Sequence, residues 1–596
     1  MSPSPPVAEV RVPLPYGQCG KQSPPCQMSD PITRKRVGYA LVASLCLGIL
    51  WLATYPVLAA AARGITQFQD DSFYYLVTAK NYLRYGFFTF DGANATNGFQ
   101  PLWMGAIAAL LGVVGRHAPV DTQIFAVNAL EQLIRGLAVV TCVGLYIWSR
   151  QRVLPWAYGF LAVAALLLYP FYIIFEQGME TTLAVLLLLC VIYAFVSERL
   201  VLLGLTLALL FLTRLDSAVF IAGPLLLWTV AKHPRDGGAW AGAAIFATTF
   251  CIYVAINLAT TGHPVPISGV LKSSFPALRW QGAFFGEPIT IARMFGWRSL
   301  LYGINMVSCT ALLVVGATCL LIAWRRAPDI RNKLLMLGVV AALLVINLLA
   351  FQKWDKSIDP RYLAMPMTIA IFFVAASFRL LVERVEEWLA PAGVRERFPR
   401  ASMSRAQIGR RILNSLPLAV ICVALVWEAR VQWARLDSYA GRRDDLVRQI
   451  YMEVDKVLPK DAVVAGTDVG AMAFWTQRRV INLDGVINNF AYQDYLRDGR
   501  LREYLREQGV THIATGLWDR EQSYTGRPIE RMYREVLDPP AVHSANYKEH
   551  EFYVYSYLYN VESDRIALKP GDEVYRRFLG KDGVADAAYV VYRLQQ

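Results

Sequence analysis

The chain of 596 residues is 55% hydrophobic, with a mean hydropathy of +0.34. This excludes an ordinary soluble protein, because runs of ~18 or more mostly apolar residues recur between residues 37 and 431 and mark a polytopic membrane protein. A formal net charge of +13 would suit a nucleic-acid partner in a soluble chain. Here the basic residues sit in loops between apolar runs, as anchoring on the cytoplasmic face requires, so no nucleic-acid partner is expected.

Residues 1–36 are proline-rich (Pro3, Pro5, Pro6, Pro13, Pro15, Pro24 and Pro25) and lack the charged-then-apolar pattern of a signal peptide. They are expected to form a disordered cytoplasmic tail. Arg34-Lys35-Arg36 precedes the first span, 37–62, which reads as an uncleaved signal anchor and carries the chain outward. The first external loop, about 63–100, holds Gln69-Asp70-Asp71-Ser72-Phe73-Tyr74-Tyr75. It closes on Ala95-Thr96-Asn97-Gly98-Phe99-Gln100-Pro101-Leu102-Trp103.

Inside loops are marked by Arg150 and Arg152, by Arg199, by Lys232 to Arg235, by Arg325 and Arg326 with Lys333, and by the basic stretch 384–411. Consistent crossings fall near 136–149, 157–175, 181–197, 200–213, 217–231, 240–258, 306–324, 334–351, 362–381 and 412–431. Residues 101–135 must begin and end outside. They contribute either no crossing or a hairpin of 101–115 with 121–135, for a total of roughly 11 or 13. The expected architecture is a polytopic α-helical membrane domain over 37–431 followed by an extracytoplasmic α/β domain over 432–596.

That last stretch, ~160 residues long, is charged, tyrosine-rich and free of any spanning run. The chain has nine cysteines and none falls there, so no disulfide framework holds it. The spacing predicts strands over 462–466, 479–485 and 510–515, helices over 469–475 and 501–508, and antiparallel strands over 551–558 and 588–594. Gly466-Thr467-Asp468-Val469-Gly470 is a turn suited to an anion at a helix N-terminus, without a full dinucleotide or phosphate-loop fingerprint.

An acid pair on a short loop pinned to the bilayer is costly to keep. Asp70 and Asp71 therefore point to chemistry on a lipid-linked substrate at the membrane surface, with a solvated helix cap as the plain alternative. Adjacent helical residues point ~100° apart, so one is expected to be the base and the other a structural partner. Lys272, Arg361 and Arg214 are candidate phosphate-binding cations, against headgroup snorkelling or, for Arg214 with Asp216, a simple buried ion pair. Glu180 opens a span, where capping competes with a substrate contact. The six histidines show no metal-ligand spacing. A divalent ion, Mg²⁺ or Mn²⁺, is compatible with the carboxylates but not required.

These motifs resemble the C-type glycosyltransferases (GT-C), integral membrane enzymes that use polyprenyl-phosphate-linked sugars. The resemblance runs through Asp71-Ser72-Phe73-Tyr74-Tyr75, Asn81, Gly86, Phe90 and 96–103. The order of motifs is similar to that of the mycobacterial arabinofuranosyltransferases: the acid pair, Gly178-Met179-Glu180-Thr181, Arg214-Leu215-Asp216, Pro266 through Lys272, and Arg361 through Pro366. Leu215-Asp216 and Ile267-Ser268 depart from that pattern.

The resemblance implies inverting transfer of a sugar, such as the pentofuranose arabinose, from a polyprenyl-phosphate donor without a covalent enzyme intermediate. The acceptor would be an envelope glycan, a lipid or an exported protein at the outer face of a bacterial inner membrane. Asp71, ahead of Asp70, would deprotonate the acceptor while Lys272, Arg361 and Arg214 hold the phosphate. Glu180, Asp216, Asn97, Tyr74, Trp103 and Tyr362 are the candidates for contact with sugar or acceptor, against aromatic-belt anchoring for the three aromatics. A lipid-linked glycan transporter or flippase, a glycan polymerase or ligase, and a structural scaffold are the competing readings. No internal repeat of the transporter kind is evident.

Overall fold

The computed structural model describes residues 68–150, 154–168, 178–276, 306–325, 327–351, 360–389, 439–518, 550–578 and 587–595, with short pieces at 54–55, 58–59, 61–62, 283–284 and 287–288. The tail 1–36, most of the first span and the span 412–431 lie outside the described residues, as does most of the basic stretch 384–411.

Helix α1 (Asp70–Tyr85) starts with both carboxylates in its first turn, where they favour the positive end of the helix dipole, and stops at the left-handed Gly86. The helical part continues with α2 (Pro101–Val114), α3 (Val120–Arg150), α4 (Ala157–Leu168), α5 (Thr181–Val196) and α6 (Leu200–Thr213). A π-helical turn, Ala218–Ala222, leads into α7 (Gly223–Lys232) and α8 (Gly237–Thr261). The short α9 (Ile267–Lys272), then α10 (Met306–Ile322), α11 (Pro328–Phe351) and α12 (Pro360–Leu389), complete it. Four of these, over Val120–Trp148, Gly237–Thr261, Pro328–Phe351 and Arg361–Val385, are long and apolar enough to cross a membrane.

The region 101–135 differs from the hairpin alternative. Residues 121–135 and 136–149 belong to one unbroken helix, α3, of 31 residues. At 1.5 Å per residue it is about 46 Å long, against about 30 Å of hydrocarbon. The 14 residues of α2 reach only about 21 Å. The start of α3 also meets the α/β part, where Asp121 pairs with Arg448 at 3.1 Å.

The α/β part begins with α13 (Tyr439–Val457). A five-stranded mixed sheet follows, formed by β1 (Val464–Gly466), β2 (Val480–Asn482), β3 (His512–Trp518), β4 (Glu573–Phe578) and β5 (Ala587–Arg593) in the order β4-β5-β3-β1-β2. The three strands β2, β1 and β3 run parallel, and β5 and β4 are added antiparallel. Between β1 and β2 lies α14 (Gly470–Thr476). Between β2 and β3 lie α15 (Phe490–Arg497) and α16 (Leu501–Glu507). Strand alternation divides the apolar side chains. Ala465, Ile513, Val590 and Tyr592 pack on α15 and α16, whereas Val464, Ala514, Tyr589 and Val591 join the core of α1, α2 and α3.

One apolar core runs through both the helical part and the α/β part. The described residues all belong to one compact unit, Ile49–Gln596. The polar side of this junction is built on Asp70. Its buried carboxylate accepts hydrogen bonds from the Gly470 amide at 2.9 Å and the Ala471 amide at 2.7 Å, at the start of α14. The turn at 466–470 does meet an anion, and that anion belongs to the chain itself. Glycine is required at 470, where an added Cβ would lie 2.5 Å from the Asp70 carbonyl oxygen. Gly98 likewise leaves room for the Val486 carbonyl, which would lie 2.0 Å from a Cβ. Nearby, the Tyr74 hydroxyl donates to Asp484 at 2.8 Å.

Replacing Asp70 with Ala removes two charge-assisted bonds and leaves two amides unpartnered, an expected loss of about 3 kcal/mol. Asp70→Ala and Gly470→Val are both expected to lower the thermal midpoint of the purified protein by several degrees. An unchanged midpoint in both would show that this junction does not hold the two parts together.

Candidate active site

A cavity of about 480 Å³ opens where α1, α9, α11 and α12 meet the loop that follows β2. Three charged groups form one pole. Asp71, one residue past the clamp at Asp70, turns its carboxylate toward the cavity. Lys272 Nζ lies 3.2 Å from Asp71 Oδ2, and Arg361 Nη2 lies 2.8 Å from the same oxygen. Lys272 is the last residue of the short helix α9, and Arg361 is near the start of α12. Burial pushes the Asp71 carboxyl up. The charges and hydrogen bonds of Lys272 and Arg361 outweigh it and hold the group well below the usual carboxylate range. Burial alone would lower the Lys272 ammonium, and the Asp71 charge raises it above its ordinary value.

The second pole is centred on Arg214, just past the end of α6. Its guanidinium forks onto Asp216 at 3.3 and 3.2 Å and reaches Glu180 at 3.2 Å. The Tyr75 hydroxyl donates to Glu180 at 3.1 Å. Glu180 makes no capping hydrogen bond with its side chain at the start of α5, so its carboxylate serves the cavity side. The Tyr362 ring lies between the poles, 5.3 Å from the Arg214 guanidinium and 5.1 Å from that of Arg361.

The structure therefore brings Asp71, Glu180, Arg214, Asp216, Lys272, Arg361, Tyr74 and Tyr362 to one cavity. Three other candidates stand behind its wall. Asp70 is turned away onto α14, where two backbone amides hold its carboxylate, and it does not line the cavity. Trp103 is fully buried and donates from its indole to the Gly178 carbonyl at 3.1 Å, so it touches neither solvent nor cavity. Glu131 holds the same turn from the other side, accepting from the amides of Gly178 and Met179 at 3.0 and 3.1 Å. Together they fix the backbone that presents Glu180. Asn97 is also buried. Its amide donates to Asn257 and Thr261 of α8 and its oxygen accepts from Ile267 N at 3.1 Å. It thereby fixes the start of the helix that carries Lys272.

Other lining residues escaped the sequence reading. The Gln100 side-chain oxygen accepts from the Leu215 amide, and its backbone N–H donates to the Tyr75 hydroxyl. Asn347 lines the cavity from α11, and an amide inside an apolar span is itself a signal of function. Val486 and Ile487 reach the cavity from the α/β part, and no local pattern marks them. Val219, Phe220, Phe275 and Leu348 form an apolar flank. Cations rather than further carboxylates face Asp71, and among the described residues no group of three His, Cys, Asp or Glu side chains converges.

No family model and no curated relative matches the chain. Among solved structures it is similar to ArnT from Cupriavidus metallidurans. The apo state is 14% identical with a TM-score of 0.45, the match covering 81% of this chain and 93% of that one. The form bound to undecaprenyl phosphate is 13% identical with a TM-score of 0.46, covering 93% of this chain and 98% of that one.

Proposed function

We propose that this chain is a C-type glycosyltransferase that moves a sugar from a polyprenyl-phosphate donor to an acceptor hydroxyl at the outer face of the membrane. The observation that carries the reading is Asp71, a carboxylate facing a cavity with two cations, Lys272 and Arg361, against one of its oxygens. A phosphate diester on a lipid needs such cations, an acceptor hydroxyl needs such a carboxylate, and the prenyl chain needs an apolar flank.

In the reaction, Asp71 takes the proton of the acceptor hydroxyl as its oxygen attacks the anomeric carbon. The bond from that carbon to the phosphate oxygen breaks, and its electron pair stays on the phosphate. Lys272 and Arg361 stabilise the charge gathering there. The products are the glycoside and polyprenyl phosphate, and the proton passes from Asp71 to water. The group of Arg214, Glu180 and Asp216 offers donors and acceptors to sugar hydroxyls, with Tyr362 beneath the ring. Val219, Phe220, Phe275 and Leu348 would meet the first prenyl units. The positive-inside pattern of the loops supports an outer position for this end of the bundle. A pentofuranose such as arabinose is the finer form of the proposal, and an envelope glycan, lipid or exported protein is the acceptor class.

The test is release of polyprenyl phosphate by the purified protein in nanodiscs, with pentofuranosyl and hexopyranosyl donors. Asp71→Asn is expected to lower turnover by about 10²–10⁴-fold, the usual worth of a positioned base, in protein that still folds but with a lowered thermal midpoint, because Lys272 and Arg361 lose their carboxylate partner. Lys272→Met and Arg361→Met are each expected to lower kcat/KM for the donor by about tenfold or more, as loss of a charged hydrogen-bond partner does. Equal turnover in Asp71→Asn and wild type would remove Asp71 from the chemistry. No release from any donor by folded protein would overturn the proposal.

A further inference from the structure

Among the described residues, the charges lining the cavity balance one another. Asp71, Glu180 and Asp216 stand against Arg214, Lys272 and Arg361. Each cation already touches a carboxylate, Lys272 and Arg361 on Asp71 and Arg214 on Glu180 and Asp216. An arriving phosphate therefore meets cations that are engaged, and an anion that sits where its own oxygens would bind. Resting on the reading of this cavity as a lipid-phosphate site, we infer that Asp71 has a second role. It competes with the lipid phosphate for Lys272 and Arg361, and so weakens the hold on the spent carrier more than the hold on the donor.

The asymmetry follows from phosphate chemistry. The donor is a phosphodiester and carries one negative charge. The spent carrier is a monoester whose second ionisation lies near pH 6, so at pH 7.5 it carries about two. Asp71, Lys272 and Arg361 together carry one positive charge, which one diester neutralises and a dianion exceeds. The Arg361 side chain is only 9% exposed and that of Asp71 19%, so these charges interact with little screening by water. Once the proton taken from the acceptor has left Asp71, its restored charge repels the dianion directly. A base placed against the phosphate cations thus also drives out the product that would otherwise occupy them. The same contact makes Asp71 a stronger base when donor is bound. As the cations turn to the phosphate, the interactions that depress its proton affinity are shared out.

The experiment measures equilibrium binding of polyprenyl phosphate, and of a non-transferable C-glycoside phosphodiester of the same prenyl chain. Wild type, Asp71→Asn, Asp71→Ser and Lys272→Met are compared in nanodiscs at pH 7.5. The neutral variants at Asp71 are expected to bind polyprenyl phosphate about tenfold tighter or more, the scale of one short-range charge repulsion at a partly buried site. Binding of the phosphodiester should tighten less, and Lys272→Met should weaken both. Unchanged or weaker monoester binding in both Asp71 variants, with the Lys272 effect present, would overturn the competition and leave the phosphate site standing. So would equal tightening for the two ligands. No effect of Lys272→Met on either ligand would overturn the phosphate site itself, and the inference with it. Asp71→Ser carries the comparison if Asp71→Asn does not fold.

Discussion

The carboxylate of Asp70 on the amides of Gly470 and Ala471 is the contact on which the site depends. It joins the first residue of α1 to the start of α14. Because Asp71 is next in the chain, it also fixes the direction in which the second carboxylate points. Two adjacent acids on a helix diverge by about 100°. One is spent on joining the two parts of the molecule, and the other is thereby aimed at the cavity. The Tyr74 to Asp484 bond and the approach of Val486 to Gly98 repeat the connection on the next turn and on the following loop.

Gathering six buried or half-buried charges beside an apolar flank is unfavourable unless each finds a partner. The chain meets this requirement with two interlocked groups. Asp71 lies between Lys272 and Arg361, and Arg214 lies between Glu180 and Asp216, with the Tyr362 ring against both guanidinium groups. At the other end of the helices a third knot, Glu198 with Lys232 and Lys333 at 2.8 and 2.9 Å, joins the ends of α5 and α7 to the start of α11. Ion pairs thus tie the helices at both ends.

Much of this was legible in the order of residues. The polar motifs Asp70-Asp71, Gly178 to Thr181, Arg214 to Asp216, Lys272 and Arg361 stand out against apolar sequence, and the structure brings at least one residue of each to one cavity. The strands over 464–466, 480–482 and 512–518 were visible as short apolar runs between turns. The division of labour between Asp70 and Asp71 was not legible, since it is decided by amides 400 residues away. Trp103 and Asn97 sit in the right motif but face the core, because side-chain direction on a helix start or loop depends on what packs behind it. The unbroken helix α3 was hidden by its polar residues Glu131, Gln132 and Arg135, which break the apolar run yet are buried. Val486 and Ile487 are ordinary apolar residues, and only the tertiary fold brings them to the cavity.

The distance along the chain between these partners also sets an order of events during synthesis. Asp70 and Tyr74 leave the ribosome long before Gly470 and Asp484, which are 400 and 410 residues later. Until those residues arrive, the Asp70 carboxylate lacks the Gly470 and Ala471 amides, and the cavity wall formed by Val486 and Ile487 does not exist. Strand β5, which completes the sheet face packed on α1, is later still. The helices can insert one after another as they emerge, but the site closes only when the end of the chain has folded back onto its beginning.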